Sequence, residues 1–590
     1  MNDIQKLSVY DARIVQNQAK YAVDKGALSN TSTSFTAISQ TASQFTFNVT
    51  VPSQNVFLDR AIDWEAECYL SMDVLVAGTP AGTEVGTPVV VFGRDVALAP
   101  FPLHQLVSTM QASINDTSVV LNTQDVLNVL LRLTDYKKNR MVRTCPTMLD
   151  KFQNYSDANG AIGSPIASYV DAVDYDNVPN GAYYDVEFTT PCPPTTADLN
   201  KTYTVDFKFK STEKLVLSPF IFAGSHEQET GLFGLNSVQF VFNIGSSLLS
   251  RVVRNNPSGA ALNGRTISNV RFQTVPFRNS KITCTFLTPS LDLKLPERSV
   301  VNYMEFPRYI TNSLANITAG QKELEVQSNN IVLPMIPDML IVYARGMQKA
   351  GSGPYAGTIG GPTVGDYFLP IEKITINFDN YSGLLSSHTK QQLYAMSVHN
   401  GLEMDYNTWS GFGKSSTAAG NIPLVGGPLL LKFGNDIALQ ASQAPGLLGN
   451  FNLQYNVKVS NQTSSDLDVV LYTIAVNSGF FETVAGSSRI VRGVTEAEVI
   501  SAPMIEDSSR EGLSRVVGGG FFGRLGNILS KAKDVYGMVK PGSDIGKAIS
   551  GVKGALPEGM VKEVLGKVGY GRSAGSRSAG GKKSLEERLI

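Results

Sequence analysis

At 590 residues the chain exceeds what one hydrophobic core can hold, so roughly two to four domains are expected. It is 42% hydrophobic and 17% charged, the balance of a globular protein, and no window approaches ~18 uninterrupted apolar residues, which excludes a membrane-spanning helix. The net charge of −1 hides an asymmetry: residues 513–590 carry 14 Lys/Arg against 6 Asp/Glu, a net +8, which leaves the first 512 residues at −9.

The opening "MNDIQKLSVYDARIVQNQAK" has neither a basic leader nor an apolar core, so a secreted product is not expected. Residues 1–35 are polar, show no strand pattern and read as an N-terminal arm. Period-two alternation then recurs: Phe45, Phe47, Val49, Val51; Tyr203, Val205, Phe207, Phe209; Val238, Phe240, Phe242, Ile244; Phe451, Leu453, Tyr455, Val457, Val459. Such strands bury one face and wet the other, as in antiparallel sandwiches. The 53 glycines, with abundant Thr, Ser and Asn, supply the turns.

The chain also repeats itself. "NVFLDRAIDWEAECYL" from Asn55 and "NIVLPMIPDMLIVYA" from Asn330 share Asn, then Leu (Leu58, Leu333), then Asp (Asp63, Asp338), and each runs into an apolar strand. A Gly/Pro-rich loop follows in each half, then a strand ending Ile114-Asn115 or Ile376-Asn377, then a short helix with a capping candidate, Thr123 or Thr389. Gly-Leu-x-Gly then precedes a long alternating strand, from Gly231 and again from Gly446. Four landmarks in one order predict two copies of one β-sandwich. From Ile114 to Gly231 is 117 residues and from Ile376 to Gly446 is 70, so the first copy holds about 47 extra, placed within 135–200 as long loops. The segment 287–309, with three prolines, predicts an extended connector. The resulting division is an arm (1–35), a first sandwich with long insertions (36–290), a second (291–512) and a basic tail (513–590).

In the tail, Phe521, Leu525, Ile528, Ala532, Val535 and Val539 fall at helical spacing, with Arg524, Lys531 and Lys533 off the stripe. Three glycines weaken that helix, and "GYGRSAGSRSAGGKKS", which contains Lys582 and Lys583, has the composition of a disordered segment. Docking on the body, contact with nucleic acid or an internal protein, and contact with a membrane surface all fit this pattern. "VVGGG" (516–520) reads either as a hinge or, through Gly518, Gly519 and Gly520, as a proteolytic processing site.

The residues point to no catalytic site, metal site or cofactor. His104, His226, His388 and His399 are scattered, without an HxH or HExxH pair. "GRSAG" (571–575) has the GxSxG letters but no strand before it, and "TWSGFGKS" (408–415) has Thr408 where a phosphate loop needs Gly. Asp171 and Asp174 read as a solvated loop rather than a glycosidase pair, and the basic run "YKKNRMVR" (136–143) as a solvated loop or subunit contact rather than a nucleic-acid surface. Cys68, Cys145, Cys192 and Cys284 form no CxxC pair and read as reduced, mostly buried thiols. A carbohydrate-active or carbohydrate-binding double sandwich is the alternative class. It needs exposed aromatics, yet Trp64 and Trp409 are the only tryptophans and Trp64 is expected in the core.

The stretches "FGRDVALAPFPLHQLVSTMQASIN" (92–115), "SDANGAIGSP" (156–165), "GNFNLQYNVKVSN" (449–461), "GVTEAEV" (493–499), "GGFFGRLGNIL" (519–529) and "VGYG" (568–571) run nearly the length of the chain. In them the sequence resembles the double jelly-roll major capsid proteins of small double-stranded DNA viruses, virophages of the Sputnik type and Polinton-like viruses. The resemblance implies an all-β chain of two tandem eight-stranded jelly rolls. It further implies homotrimers that form pseudo-hexagonal blocks in an icosahedral virion shell, assembled inside the host cell. The partners it implies are neighbouring capsomers and a single-jelly-roll penton protein, with the tail toward genomic DNA or an internal protein. A viral spike or penton component is disfavoured, because those commonly carry one roll per chain. The family pattern also implies a protease that cleaves near Gly-Gly.

Overall fold

Each half of the chain is a pair of facing antiparallel sheets, and the strands of both halves pair in the same order. The computed structural model describes residues 27–92, 96–133, 186–220, 231–255, 265–289, 297–348, 368–414, 421–440, 442–462 and 466–495, together with Cys145, Leu149 and Ala497.

In the first half the principal strands are β1 (Ala27–Thr36), β2 (Gln44–Thr50), β3 (Asp63–Val76), β4 (Val107–Ile114), β5 (Thr117–Leu121), β6 (Lys201–Lys214), β7 (Ser237–Ile244) and β8 (Arg265–Pro289). One sheet runs β1–β8–β3–β6 and the other β2–β7–β4–β5. The second half has β9 (Arg308–Ile317), β10 (Ile331–Met335), β11 (Met339–Gln348), β12 (Ile371–Phe378), β13 (Tyr381–Leu384), β14 (Leu429–Lys432), β15 (Leu448–Val459) and β16 (Leu467–Val484). Its sheets run β9–β16–β11–β14 and β10–β15–β12–β13, the first-half orders with eight added to each number. A further strand, β17 (Ser487–Arg492), pairs with β16.

Alternation accounts for these strands. In β6 every second residue from Tyr203 to Glu213 is buried while its neighbours are exposed or half-exposed. The buried faces of the two sheets meet at Trp64, fully buried with its ring 5.4 Å from Phe45 on β2 and 4.9 Å from Phe242 on β7. In the second half Tyr455 of β15 reaches across to Thr473 of β16, 2.7 Å between hydroxyls.

The landmarks of the repeat occupy matching places. Leu58 and Leu333 are buried just before the third strand of each half, Asp63 opens β3, and Asp338 stands one residue before β11. Ile114 ends β4, and Ile376 lies near the end of β12. The helix α1 (Pro102–Leu106) precedes β4, and α2 (Thr123–Leu130) follows β5. In the second half α3 (Lys390–His399) follows β13, and α4 (Tyr406–Ser410) follows α3. Thr389 caps α3 as expected, its hydroxyl accepting the Gln392 N–H while the Gln392 side chain accepts the Thr389 N–H.

Two expectations are corrected. Thr123 is not a cap: Asn122 holds that position without a side-chain bond, and Thr123 is a buried residue inside α2. The arm assigned to residues 1–35 overlaps β1, which starts at Ala27 and pairs along β8. Its Ser/Thr-rich sequence hides the strand because cross-strand hydroxyl pairs, Ser32–Thr285 at 3.0 Å and Ser34–Thr283 at 2.9 Å, replace hydrophobic alternation. In the described part of the connector Ser299–Glu305 is an extended strand along β16, while residues 290–296 lie outside the described residues. The extra residues of the first half, the run 136–143 and Asp171/Asp174 lie largely or wholly outside the described residues, as does the tail.

Candidate functional site: the seam between the halves

The most developed polar constellation in the described chain joins one half to the other. In α2, Asp125 is fully buried in the first turn. Its carboxylate pairs with Arg308 of β9, and its backbone carbonyl accepts the hydroxyl of Tyr343 on β11 at 2.7 Å. Tyr343 lies stacked on Tyr472 of β16, ring centroids 4.9 Å apart and planes 3° from parallel. Just past α2, the Arg132 guanidinium sits 4.7 Å above the Phe368 ring, and its carbonyl accepts the Glu403 N–H at 2.9 Å. A helix of the first half is thus fastened to a sheet of the second by an ion pair, a hydrogen bond and a cation–π contact.

A second fastening lies at the turn between β4 and β5. The Asp116 carboxylate accepts the Ser488 N–H at 2.7 Å, the Ser488 hydroxyl at 3.0 Å and the Ser487 hydroxyl at 3.1 Å. Those bonds, the Ser488 backbone first, hold the Asp116 carboxyl below its ordinary pKa. The Thr117 hydroxyl donates in return to the Ser488 carbonyl at 2.7 Å. Nearby, Thr483 donates to the Phe233 carbonyl at 2.5 Å, and the Gly486 N–H to Gly234 at 3.0 Å. The φ of Gly486 is +88°, which favours glycine, and a Cβ there would stand 2.0 Å from the Asn236 side-chain amide, so the two segments approach closely. One continuous apolar cluster runs through both halves, so the seam is part of the core.

Chemistry of the catalytic kind is not assembled here. Among the described residues no group of three or more His, Cys, Asp or Glu could hold a metal ion, and no helix is long and apolar enough to cross a membrane. All four cysteines are free; Cys68, Cys145 and Cys284 are buried, and burial pushes their thiols up, Cys284 to about 12. "TWSGFGKS" is the end of α4, a left-handed turn at Gly411 with φ +83°, and a short strand. Trp64 and Trp409 are both buried, so neither offers a sugar-stacking platform. His399 ends α3 on an exposed face, while His104 is buried with Nδ1 2.6 Å from Glu213. Glu213 also accepts the Leu103 and His104 N–H groups and the Ser211 hydroxyl, which ties α1 to β6. The His104–Glu213 pair is missed by sequence reasoning, since 109 residues separate the two and no motif links them. Gly518, Gly519, Gly520, Arg524, Lys531, Lys533, Lys582 and Lys583 lie outside the described residues.

Two tandem sandwiches of one strand order, joined through a buried seam, make up one block. Comparison with known proteins gives the block its family. A model of the first domain of the Sputnik virophage major capsid protein matches residues 2–287, and a model of the major capsid protein V20 C-terminal domain matches 306–479. The putative capsid protein V20 of Sputnik virophage is 29% identical over 591 residues, covering 98% of this chain and 95% of that one. A chain in the cryo-EM structure of the Sputnik virophage superposes with a TM-score of 0.73 at 25% identity, over 87% of this chain and 98% of that one. The mavirus major capsid protein crystal structure shares the fold, with a TM-score of 0.64 at 12% identity, over 86% and 99%. The chain belongs to the virophage major capsid protein family. It is a structural component of the icosahedral virion shell of a small double-stranded DNA virus.

Proposed function

We propose that the subunit is a double jelly roll, two eight-stranded sandwiches in tandem, and that three chains close into one pseudo-hexagonal shell block. The observation that carries this reading is the strand order 1-8-3-6 and 2-7-4-5, repeated without change in the second half. A homotrimer has three equivalent positions, and a fold present twice per chain supplies six similar lobes around its axis. Closing the ring also covers sheet surfaces that a lone subunit leaves open. On this reading the first roll runs to about residue 290 and takes in β1, the second extends to about 512, and the segment from 513 is a separate tail. The subunit acts by assembly and carries out no reaction. Its partners are further copies of the block and a penton protein. The tail's basic residues, Arg524, Lys531, Lys533, Lys582 and Lys583, face the inside of the shell, toward genomic DNA or an internal protein, and Gly518–Gly520 mark a processing site ahead of them.

Mass measurement of the purified chain under native conditions tests the trimer. Particles of three times the 63.6 kDa chain mass that persist on dilution are expected. A stable monomer at all concentrations would contradict it.

A further inference from the structure

We infer that a three-stranded ribbon, made of the connector strand Ser299–Glu305, the end of β16 and β17, offers its outer face as the docking surface for a segment of the same chain, residues 496–501, which follows that ribbon directly. The inference goes beyond the assembly reading and does not depend on how many chains form a block.

The ribbon has two faces of different kinds. The connector strand pairs along one side of β16, Ser299 with Thr483 and Glu305 with Asn477, and β17 pairs along the other side, Ser487 with Val484 and Arg492 with Gly479. Alternation then divides the side chains. Val301, Tyr303, Phe481, Thr483 and Ser488 are all buried on the face turned to the first half, where Thr483 bonds Phe233 and Ser488 bonds Asp116. The opposite face carries Val300, Phe480, Val484 and Val491. Its three valines are 41%, 43% and 40% exposed, and Phe480 is half-buried. On β6, by contrast, the solvent-facing positions include Thr204, Asp206, Lys208 and Lys210, as a wet strand face requires. A single exposed valine is ordinary, but a cluster across three neighbouring strands marks a contact surface.

Charge selects the occupant. Arg298 and Arg489 stand on the same outer face and both bond Glu482 between them, at 3.1 and 2.6 Å. Two guanidiniums, 63% and 68% exposed, thus share one buried carboxylate, and the patch keeps one positive charge in excess. An acidic segment with aliphatic side chains fits such a surface, and the basic tail from 513 has the wrong sign. Glu496, Glu498, Val499 and Ile500 supply two carboxylates and two aliphatic side chains within five residues. Their place in the chain fits as well. Val494 is fixed at the near end of the ribbon, its N–H donating to the Gly446 carbonyl at 2.7 Å and its carbonyl accepting the Leu448 N–H at 3.0 Å. Arg489 lies five residues before it along β17, a distance of roughly 16 Å. The six residues from Thr495 to Ile500 reach about 20 Å when extended, enough to turn back along β17. A segment tethered this close meets the patch at a high effective concentration.

The test places a photoreactive residue, Val300→p-benzoylphenylalanine, in the full chain and maps the adducts. Adducts within one chain, at single-chain mass on a denaturing gel, should join position 300 to the peptide that contains Val499 and Ile500. Val491→p-benzoylphenylalanine, on the neighbouring strand, should give the same peptide and guards against a local disturbance at 300. The yield should fall about fivefold or more in the added double variant Glu496→Lys/Glu498→Lys, with unchanged far-UV circular dichroism, and should fall without that variant as NaCl rises from about 0.1 to 1 M. Adducts made only between chains would put a second copy's segment on the ribbon and overturn the docking within one chain. Adducts that map elsewhere, no adducts from either position, or a yield indifferent to the charge reversal would overturn the docking surface itself.

Discussion

Ser488 donates both its backbone N–H, at 2.7 Å, and its hydroxyl, at 3.0 Å, to one oxygen of Asp116, 372 residues earlier in the chain. A turn of the first half thereby grips the strand β17 of the second, and the grip depends on the carboxylate being ionised. Because those bonds lower the Asp116 pKa in the folded chain, the stabilisation is fully present above the ordinary Asp range and is lost as pH falls through the lowered value. Asp116→Asn should therefore lower the urea midpoint at pH 7. The gap from the parent should close as pH drops below about 4. Urea titrations at pH 7, 5 and 3 check this, and a gap constant across all three would speak against it.

Tyr343 donates its hydroxyl to the buried Asp125 carbonyl from across the seam, at 2.7 Å. Tyr343→Phe keeps the ring on Tyr472 and removes only the hydroxyl, so a loss of about 1–2 kcal/mol is expected. Equilibrium unfolding of the variant measures it. No change would mean that the seam does not depend on this bond.

Gly426 and Gly383 both have positive φ, +73° and +72°, but their surroundings differ. A Cβ at 426 would stand 2.0 Å from the Phe368 carbonyl oxygen, while at 383 nothing lies within 4 Å. Gly383→Ala should cost only the left-handed backbone term, about 1–2 kcal/mol. Gly426→Ala should cost clearly more, because backbone must move. Comparison of the two melting temperatures decides the matter.

Only Cys192 among the four thiols is partly accessible. A thiol reagent added to the native chain at neutral pH should modify Cys192 rapidly, and Cys68, Cys145 and Cys284 only after denaturation. Peptide mapping after brief labelling reads this directly, and rapid native labelling of Cys68 would contradict the buried sandwich.

Much of this fold is legible in the sequence, because antiparallel strands with one wet face write their orientation in alternate residues. Phe45 to Val49, Tyr203 to Phe209 and Phe451 to Val459 are strands where the alternation places them. The Asn–Leu–Asp stretches mark equivalent strand entries because the same turn must be made twice. What escapes is of two kinds. β1 escapes because its pairing rests on hydroxyls, and β8 because it is bulged: its register with β3 shifts three times, with Asn269 and Asn279 at positive φ, which breaks the period. The seam escapes because Asp125, Arg308 and Tyr343 meet only in three dimensions, and nothing local in the sequence of α2 announces a partner about 200 residues away. The resemblance to capsid proteins, not periodicity, carried the step from two sandwiches to a shell subunit.

The proposed shell block is three chains imitating sixfold symmetry with a fold written twice. Negative-stain imaging of the purified full chain tests it most directly. Class averages should show hexagonal blocks with six similar lobes and threefold symmetry about the centre. Single two-lobed particles, or assemblies without a threefold axis, would contradict it.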